Sequence, residues 1–277
     1  MDKRADDLFI QRSSTTVGKA AINIDESPIE PIGHGIEAII FDGDDTLWQT
    51  QVIYDEAKEK FYRLIEEQGF GQLTSEQGFN KQALATKLAE IDVANVARYG
   101  FTKIRFAKSM RDVYKYFCAQ CARPIDSRTL RRISRIGYSV FDRRPMLTNG
   151  TKSILAYLHP RYRLYLYTAG NRGVQEEKIK ELGISVYFEE IYILDQKSET
   201  KLQRILLEQR LEASRTLMVG NSVRSDINPA LRVGLPCIWL RSHSWEYDKA
   251  ELLSDQVWQV DTLRDILPII KHSLVFV

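Results

Sequence analysis

Three carboxylates crowd one glycine in Asp42-Gly43-Asp44-Asp45, directly after the apolar run Ala38-Ile39-Ile40-Phe41. Residues two apart on an extended chain face the same side, so Asp42 and Asp44 come together at the end of a buried strand. Like charges held that close need a cation or a proton to offset them. Oxygen ligands of this kind suit a hard divalent ion such as Mg²⁺. Gly and Asp are also ordinary turn formers, so this cluster alone leaves a simple turn open as the alternative.

Three segments downstream add to it. Thr168 follows the apolar run Leu164–Tyr167, and its hydroxyl with the amides of Ala169 and Gly170 suits a phosphate oxygen. A helix N-cap at Thr168 is the structural alternative. Lys197 stands between an expected strand, residues 190–194, and a helix beginning near Ser198. A cation there opposes the positive end of the helix dipole unless an anion sits nearby. Lys201, one turn further on, competes for the same place. Gly220-Asn221-Ser222 ends another apolar run, and Asp226 follows five residues after Asn221. Asp226 offers a third oxygen side chain to a shared Mg²⁺, or else caps the next helix.

The elements that must position these residues alternate. From residue 145 onward helices are expected at 151–158, 174–182, 198–210, 225–233 and 262–272. Strands are expected at 161–167, 190–194, 216–219, 236–240 and 257–260. Such alternation predicts an α/β fold, a doubly wound parallel sheet whose strand ends converge on one edge. Between Trp48 and Arg144 the pattern is helical, with helices expected at 54–68, 82–99, 102–122 and 126–141 and no strand. The resulting division is a leader at 1–35, an α/β core at 36–49 and 146–277, and an inserted all-helical cap at 50–145. The leader carries Pro28 and Pro31 without clear periodicity and is expected to be flexible.

Composition sets the outer bounds. The chain has 277 residues, 44% of them hydrophobic, and a formal charge of +2, ordinary for a soluble domain pair. No apolar run is long enough to span a bilayer and no signal core follows the charged N-terminus, which predicts a cytoplasmic protein. Three cysteines do not make a disulfide framework. Cys118 and Cys121 form a C-x-x-C, but no second pair completes a zinc set.

With its four motifs in this order, the chain resembles the haloacid dehalogenase superfamily, in the branch with a helical cap inserted after the first motif. The resemblance covers residues 36–272. It departs at Asn221, where the family often has Asp, and at Asp45, where it often has Gly. It implies Asp42 as nucleophile and Asp44 as the acid and base. It also implies Thr168 and Lys197 as stabilisers of the transferring group, and help from the amides around Gly43. Mg²⁺ would be held by Asp42, Asp226, the Asp44 carbonyl and Asn221. A dehalogenase releases halide, which needs no proton, and typically lacks an acid at the position of Asp44. The expected activity is therefore hydrolysis of a small phosphate monoester. A haloacid dehalogenase and a non-catalytic binding protein of the same fold are the alternatives.

The cap would govern access, with hinges near Gln49–Gln51 and Pro145–Thr148. Its second half, residues 101–144, carries twelve Lys or Arg against three Asp. That surplus suits a solvated helix face or attraction of a small anion; nucleic acid is the least favoured partner. Arg98, Tyr99 and the segment around His243 are candidates for the rim of the site, and Trp48 is expected to pack under the hinge.

Overall fold

A computed structural model describes residues 35–70, 80–242 and 245–272. The leader up to residue 34 and His243 lie outside the described residues.

Strand β1 (Ala38–Phe41) is entirely buried, as its unbroken apolar sequence requires of a central strand. The chain then forms β2 (Trp48–Gln49) and four helices, α1 (Gln51–Glu67), α2 (Lys81–Tyr99), α3 (Lys103–Gln120) and α4 (Ser127–Tyr138). It returns through β3 (Met146–Leu147) to α5 (Thr151–Leu158), β4 (Arg163–Ala169), α6 (Arg172–Leu182) and β5 (Glu190–Leu194). There follow α7 (Glu199–Gln209), β6 (Thr216–Gly220), α8 (Asn228–Arg232), β7 (Cys237–Leu240), β8 (Trp258–Val260) and α9 (Ile266–His272).

Six strands make one parallel sheet in the order β5-β4-β1-β6-β7-β8. Phe41 is level with Leu166 on one side and Val219 on the other, which brings the carboxyl ends of β1, β4 and β6 together. Successive strand residues feed opposite faces. Ile39, Phe41, Leu166 and Val219 pack with α5, α6 and α9, whereas Ile40, Tyr165, Tyr167 and Met218 pack with α7 and α8. The order of strands reverses around β1, the place where open α/β sheets bind ligands.

Helices α1 to α4 share a separate apolar cluster that includes Phe61, Ile65, Leu84, Phe106, Met110 and Ile133. Burying each of these contributes about 1.5–3 kcal/mol relative to exposure. Local chemistry fixes the helix starts: Asp126 accepts from the amides of Arg128 and Thr129 at α4, and Ser198 accepts from Lys201 at α7.

Three departures from the sequence expectation bear on the site. β4 runs on through Thr168 and Ala169, because pairing with β5 continues to Leu194. The helix expected from residue 225 begins instead as a π-turn, Val223–Ile227, before α8. A two-stranded ribbon joins β2 to β3, antiparallel, with Trp48 opposite Leu147 and Gln49 opposite Met146.

Candidate active site

Asp42 continues the line of β1, its amide donating to the Val219 carbonyl at 2.9 Å. The chain then turns tightly, the Gly43 carbonyl accepting from the amides of Thr46, Leu47 and Trp48. A Cβ at Gly43 would come within 2.3 Å of the Trp48 ring and 2.9 Å of Thr168 Oγ1. Only glycine lets the turn, the indole and β4 approach so closely.

Asp42, Lys197 and Asp226 form one buried group. Lys197 Nζ donates to Asp42 Oδ1 and, at 2.6 Å, to Asp226 Oδ1. All three side chains are nearly inaccessible to water. Burial pushes the Asp42 carboxyl up to about 7, with Lys197 pulling it down and Asp226 pushing it further up. Burial likewise raises Asp226. Burial works against the Lys197 ammonium, but Asp226 and Asp42 outweigh it and hold the lysine protonated. One ammonium thus serves two carboxylates, and Asp42 Oδ2 is buried with no hydrogen-bond partner. Lys201 turns elsewhere, to Asp195 and the Gln196 carbonyl.

Asp226 is placed by its own loop. Its Oδ2 accepts from the Ser222 amide at 3.0 Å, and a Cβ on Gly220 would strike it at 2.5 Å. Asn221 is buried beside it, with Thr46 Oγ1 donating to its Oδ1 at 3.4 Å.

Asp44 has more partners than any other acid in the cleft. Its Oδ1 accepts from Trp48 Nε1 at 2.7 Å, from Lys178 Nζ at 2.6 Å and from the Thr50 hydroxyl; its Oδ2 accepts from Gln175 Nε2 at 2.6 Å. Burial alone would raise its pKa, but Lys178, Thr50 and Trp48 prevail and hold it below the usual carboxylate range. Gln175 also donates to Thr168 Oγ1 at 2.8 Å, tying β4 to the acid.

Asp45 takes a structural place. It adopts a left-handed backbone, φ 61°, which explains why glycine would be at ease there. Its Oδ1 accepts from the amides of Thr50 and Gln51, both at 2.8 Å, and so caps α1 where Thr50 makes no side-chain cap. Replacing Asp45 by Ala is expected to cost about 1–2 kcal/mol through the lost cap. Chemical denaturation checks this, and Asp45→Asn, which keeps an acceptor, should lose less.

The other sequence candidates divide. Thr168, Ala169 and Gly170 all line the cleft together with Asp42, Asp44, Lys197, Asn221 and Asp226. The Gly170 amide, however, donates to the Leu194 carbonyl at 2.8 Å because the β4–β5 ladder extends to it; it is not free for a phosphate oxygen. The cap of α6 is Asn171 rather than Thr168. Arg98 stacks over Tyr99, and the cleft is lined instead by the next residues, Phe101 and Thr102. Trp48 is fully buried. Among the described residues, four of the twelve cations in residues 101–144 are ion-paired: Arg105 with Asp92, Lys108 with Asp112, Arg132 with Glu67, and Arg143 with Glu56. Cys118 and Cys121 are free thiols.

Sequence reasoning missed Gln175, Lys178 and Asp248. Asp248 accepts from Ser222 Oγ at 2.8 Å, and burial pushes it up to about 6. Only the helical spacing of Gln175 and Lys178, three apart on α6, hinted that they share a face. It also missed an aromatic contact across the cleft, where Phe101 meets Trp245 at 6.1 Å and Tyr247 at 5.5 Å.

Residues 36–234 match the family described as haloacid dehalogenase-like hydrolase. The chain belongs to that family. Among relatives of this hydrolase, the glyceraldehyde 3-phosphate phosphatase of Pyrococcus abyssi is 30% identical over 117 residues, 40% of this chain and 49% of that protein. The pyrimidine 5'-nucleotidase YjjG of Escherichia coli is 25% identical over 130 residues, 44% of this chain and 56% of that protein. These matches span about half the length of the curated relatives. A haloacid dehalogenase-like family hydrolase from Xanthomonas campestris superposes with a TM-score of 0.66 at 24% identity, covering 87% of this chain and 99% of that one. At that identity the likeness bears on the fold, which the two share. Among the described residues no helix of this hydrolase is long and apolar enough to cross a membrane.

Proposed function

We propose that this hydrolase is a Mg²⁺-dependent phosphatase that cleaves a small phosphate monoester through an aspartyl-phosphate on Asp42. The observation that carries the reading is the second acid. Asp44 shares one cleft with the Asp42–Lys197–Asp226 group, and a phosphate ester, unlike a carbon–halogen bond, leaves an oxygen that needs a proton. The names of the two curated relatives, a phosphatase and a nucleotidase, point the same way.

The residues fit a hard cation. Two carboxylates face one ammonium, which leaves one negative charge uncompensated when both are ionised, and Asp42 Oδ2 is an orphan acceptor. Among the described residues no three His, Cys, Asp or Glu side chains are placed to hold a metal by themselves. Asp42 and Asp226 would hold Mg²⁺ together with neutral oxygens, those of Asn221 and the Asp44 carbonyl, a set suited to that ion. When bound, Mg²⁺ supplies positive charge against which an anionic nucleophile and an anionic phosphate can meet.

Asp42 attacks phosphorus and carries the phosphoryl group. Lys197 and Thr168 meet the equatorial oxygens as charge builds on them. Asp44 gives a proton to the leaving oxygen and takes one from the water that resolves the intermediate. Lys178, Thr50 and Trp48 hold the Asp44 carboxyl below the usual carboxylate range, which favours the ionised form that accepts that proton. Donation requires it to leave Lys178 and become protonated.

The test is phosphate release from a panel of phosphorylated metabolites with MgCl₂ or EDTA. Release at least about tenfold faster with Mg²⁺ is expected. Chloride release from 2-chloropropionate without phosphate release from any ester would overturn the reading.

A further inference from the structure

The helical wall of the cleft carries a charged pair that the reaction leaves unused. Asp92 on α2 and Arg105 on α3 are 4% and 6% exposed and form an ion pair. Both line the same cleft as Asp42. Their mutual contact does not satisfy them: Asp92 Oδ1 and Arg105 Nε are buried without hydrogen-bond partners. Leaving such groups unpaired is costly, the more so when they are charged. The guanidinium lies over the Trp245 ring at 4.4 Å, and Phe101 and Phe106 line the cleft beside it. The result is an unpartnered acceptor on Asp92 and an unpartnered donor on Arg105, on two residues that line the cleft among aromatic side chains.

The charge of the pair narrows what it takes. Arg105 alone would attract a carboxylate, but Asp92 cancels that charge. The cleft as a whole is lined by six Asp against four Lys or Arg. A second acid on the substrate would meet repulsion there. A neutral group that accepts from a guanidinium N–H and donates to a carboxylate is matched on both counts, and a flat one is matched by the rings. Resting on the phosphatase reading, we propose that the Arg105–Asp92 pair binds the leaving group of the ester. That group is an uncharged planar ring bearing a cyclic amide edge, C=O beside N–H, as in a nucleobase. The carbonyl accepts from Arg105 and the N–H donates to Asp92 Oδ1.

Two measurements test this. In the first, Asp42→Asn protein is titrated calorimetrically with uridine and with N3-methyluridine, which lacks the ring N–H. Uridine is expected to bind at least about tenfold more tightly, the worth of one well-made hydrogen bond to a charged group. In the second, kcat/KM is compared between uridine 5'-monophosphate and 2-phosphoglycolate, which carries a carboxylate. Asp92→Asn leaves Arg105 uncancelled and should move the ratio at least about tenfold toward phosphoglycolate. Arg105→Lys keeps the charge without the fork and should move it less. Thermal melts establish that each variant is folded, and the uridine pair needs no change to Asp92 or Arg105. Equal binding of the two nucleosides, or a change in both esters by the same factor, overturns the assignment and leaves the pair as packing. Uridine discrimination without hydrolysis of any ester would keep the binding site and refute the phosphatase reading. Ester hydrolysis without discrimination would do the reverse.

Discussion

Replacing Asp42 by Asn should lower Mg²⁺-dependent phosphate release by about 10⁴-fold or more, since removing a nucleophile removes the covalent route altogether. No other carboxylate takes its place: Asp226 is fixed by the Ser222 amide and Lys197, and Asp44 by four donors. Steady-state phosphate assays decide it, and turnover within tenfold of the unaltered protein would rule out Asp42 as the nucleophile. Asp44→Asn separates the two acids. With p-nitrophenyl phosphate, whose leaving phenolate needs no proton, the first step should survive and the second slow. Acid-quenched protein should then retain phosphate in Asp44→Asn and none in Asp42→Asn.

Lys197→Met should show the second large effect, on activity and stability together. It strips the shared ammonium from two buried carboxylates, and breaking a buried pair costs about 3–5 kcal/mol. For a chain of this size that is a fall in Tm of roughly 6 °C or more. Loss of a positive donor beside the transferring group should cost activity about 100-fold or more as well. Melting in EDTA and in Mg²⁺ separates the contributions, because a bound cation would restore part of the lost compensation. A variant with normal Tm and near-normal turnover would show that Lys197 is not what holds the acids together.

The frame of this site was readable from the chain because its parts obey local rules. Ala38–Phe41 is apolar without alternation and lies at the centre of the sheet; Thr151–Leu158 and Glu190–Leu194 fall where periodicity puts them. Lys197 next to a helix start signalled an anion, and two carboxylates are there. What could not be read depends on residues far apart in sequence. Gln175 and Lys178 meet Asp44 from 131 and 134 residues away, and the β2–β3 ribbon exists only because Trp48 finds Leu147. Asp45 was legible as a turn residue where the family often has Gly, but not as the cap of α1, because the Thr50 and Gln51 amides it accepts from lie beyond the turn. The Gly170 amide looked free for phosphate, yet strand pairing that runs two residues past the expected end consumes it.

The small ribbon has a mechanical consequence. Both passages of the chain between the sheet and the four helices are pinned side by side there, with Thr148 N–H and Thr151 Oγ1 also fastened to the Leu47 carbonyl. Swinging the helical bundle must therefore turn both passages about a common axle. Trp48 and Thr50, which grip Asp44, are part of that axle or adjoin it. On the proposed role of Asp44 as acid and base, door and proton relay would be geared to each other: a swing of the helices would drag the acid along or let it go.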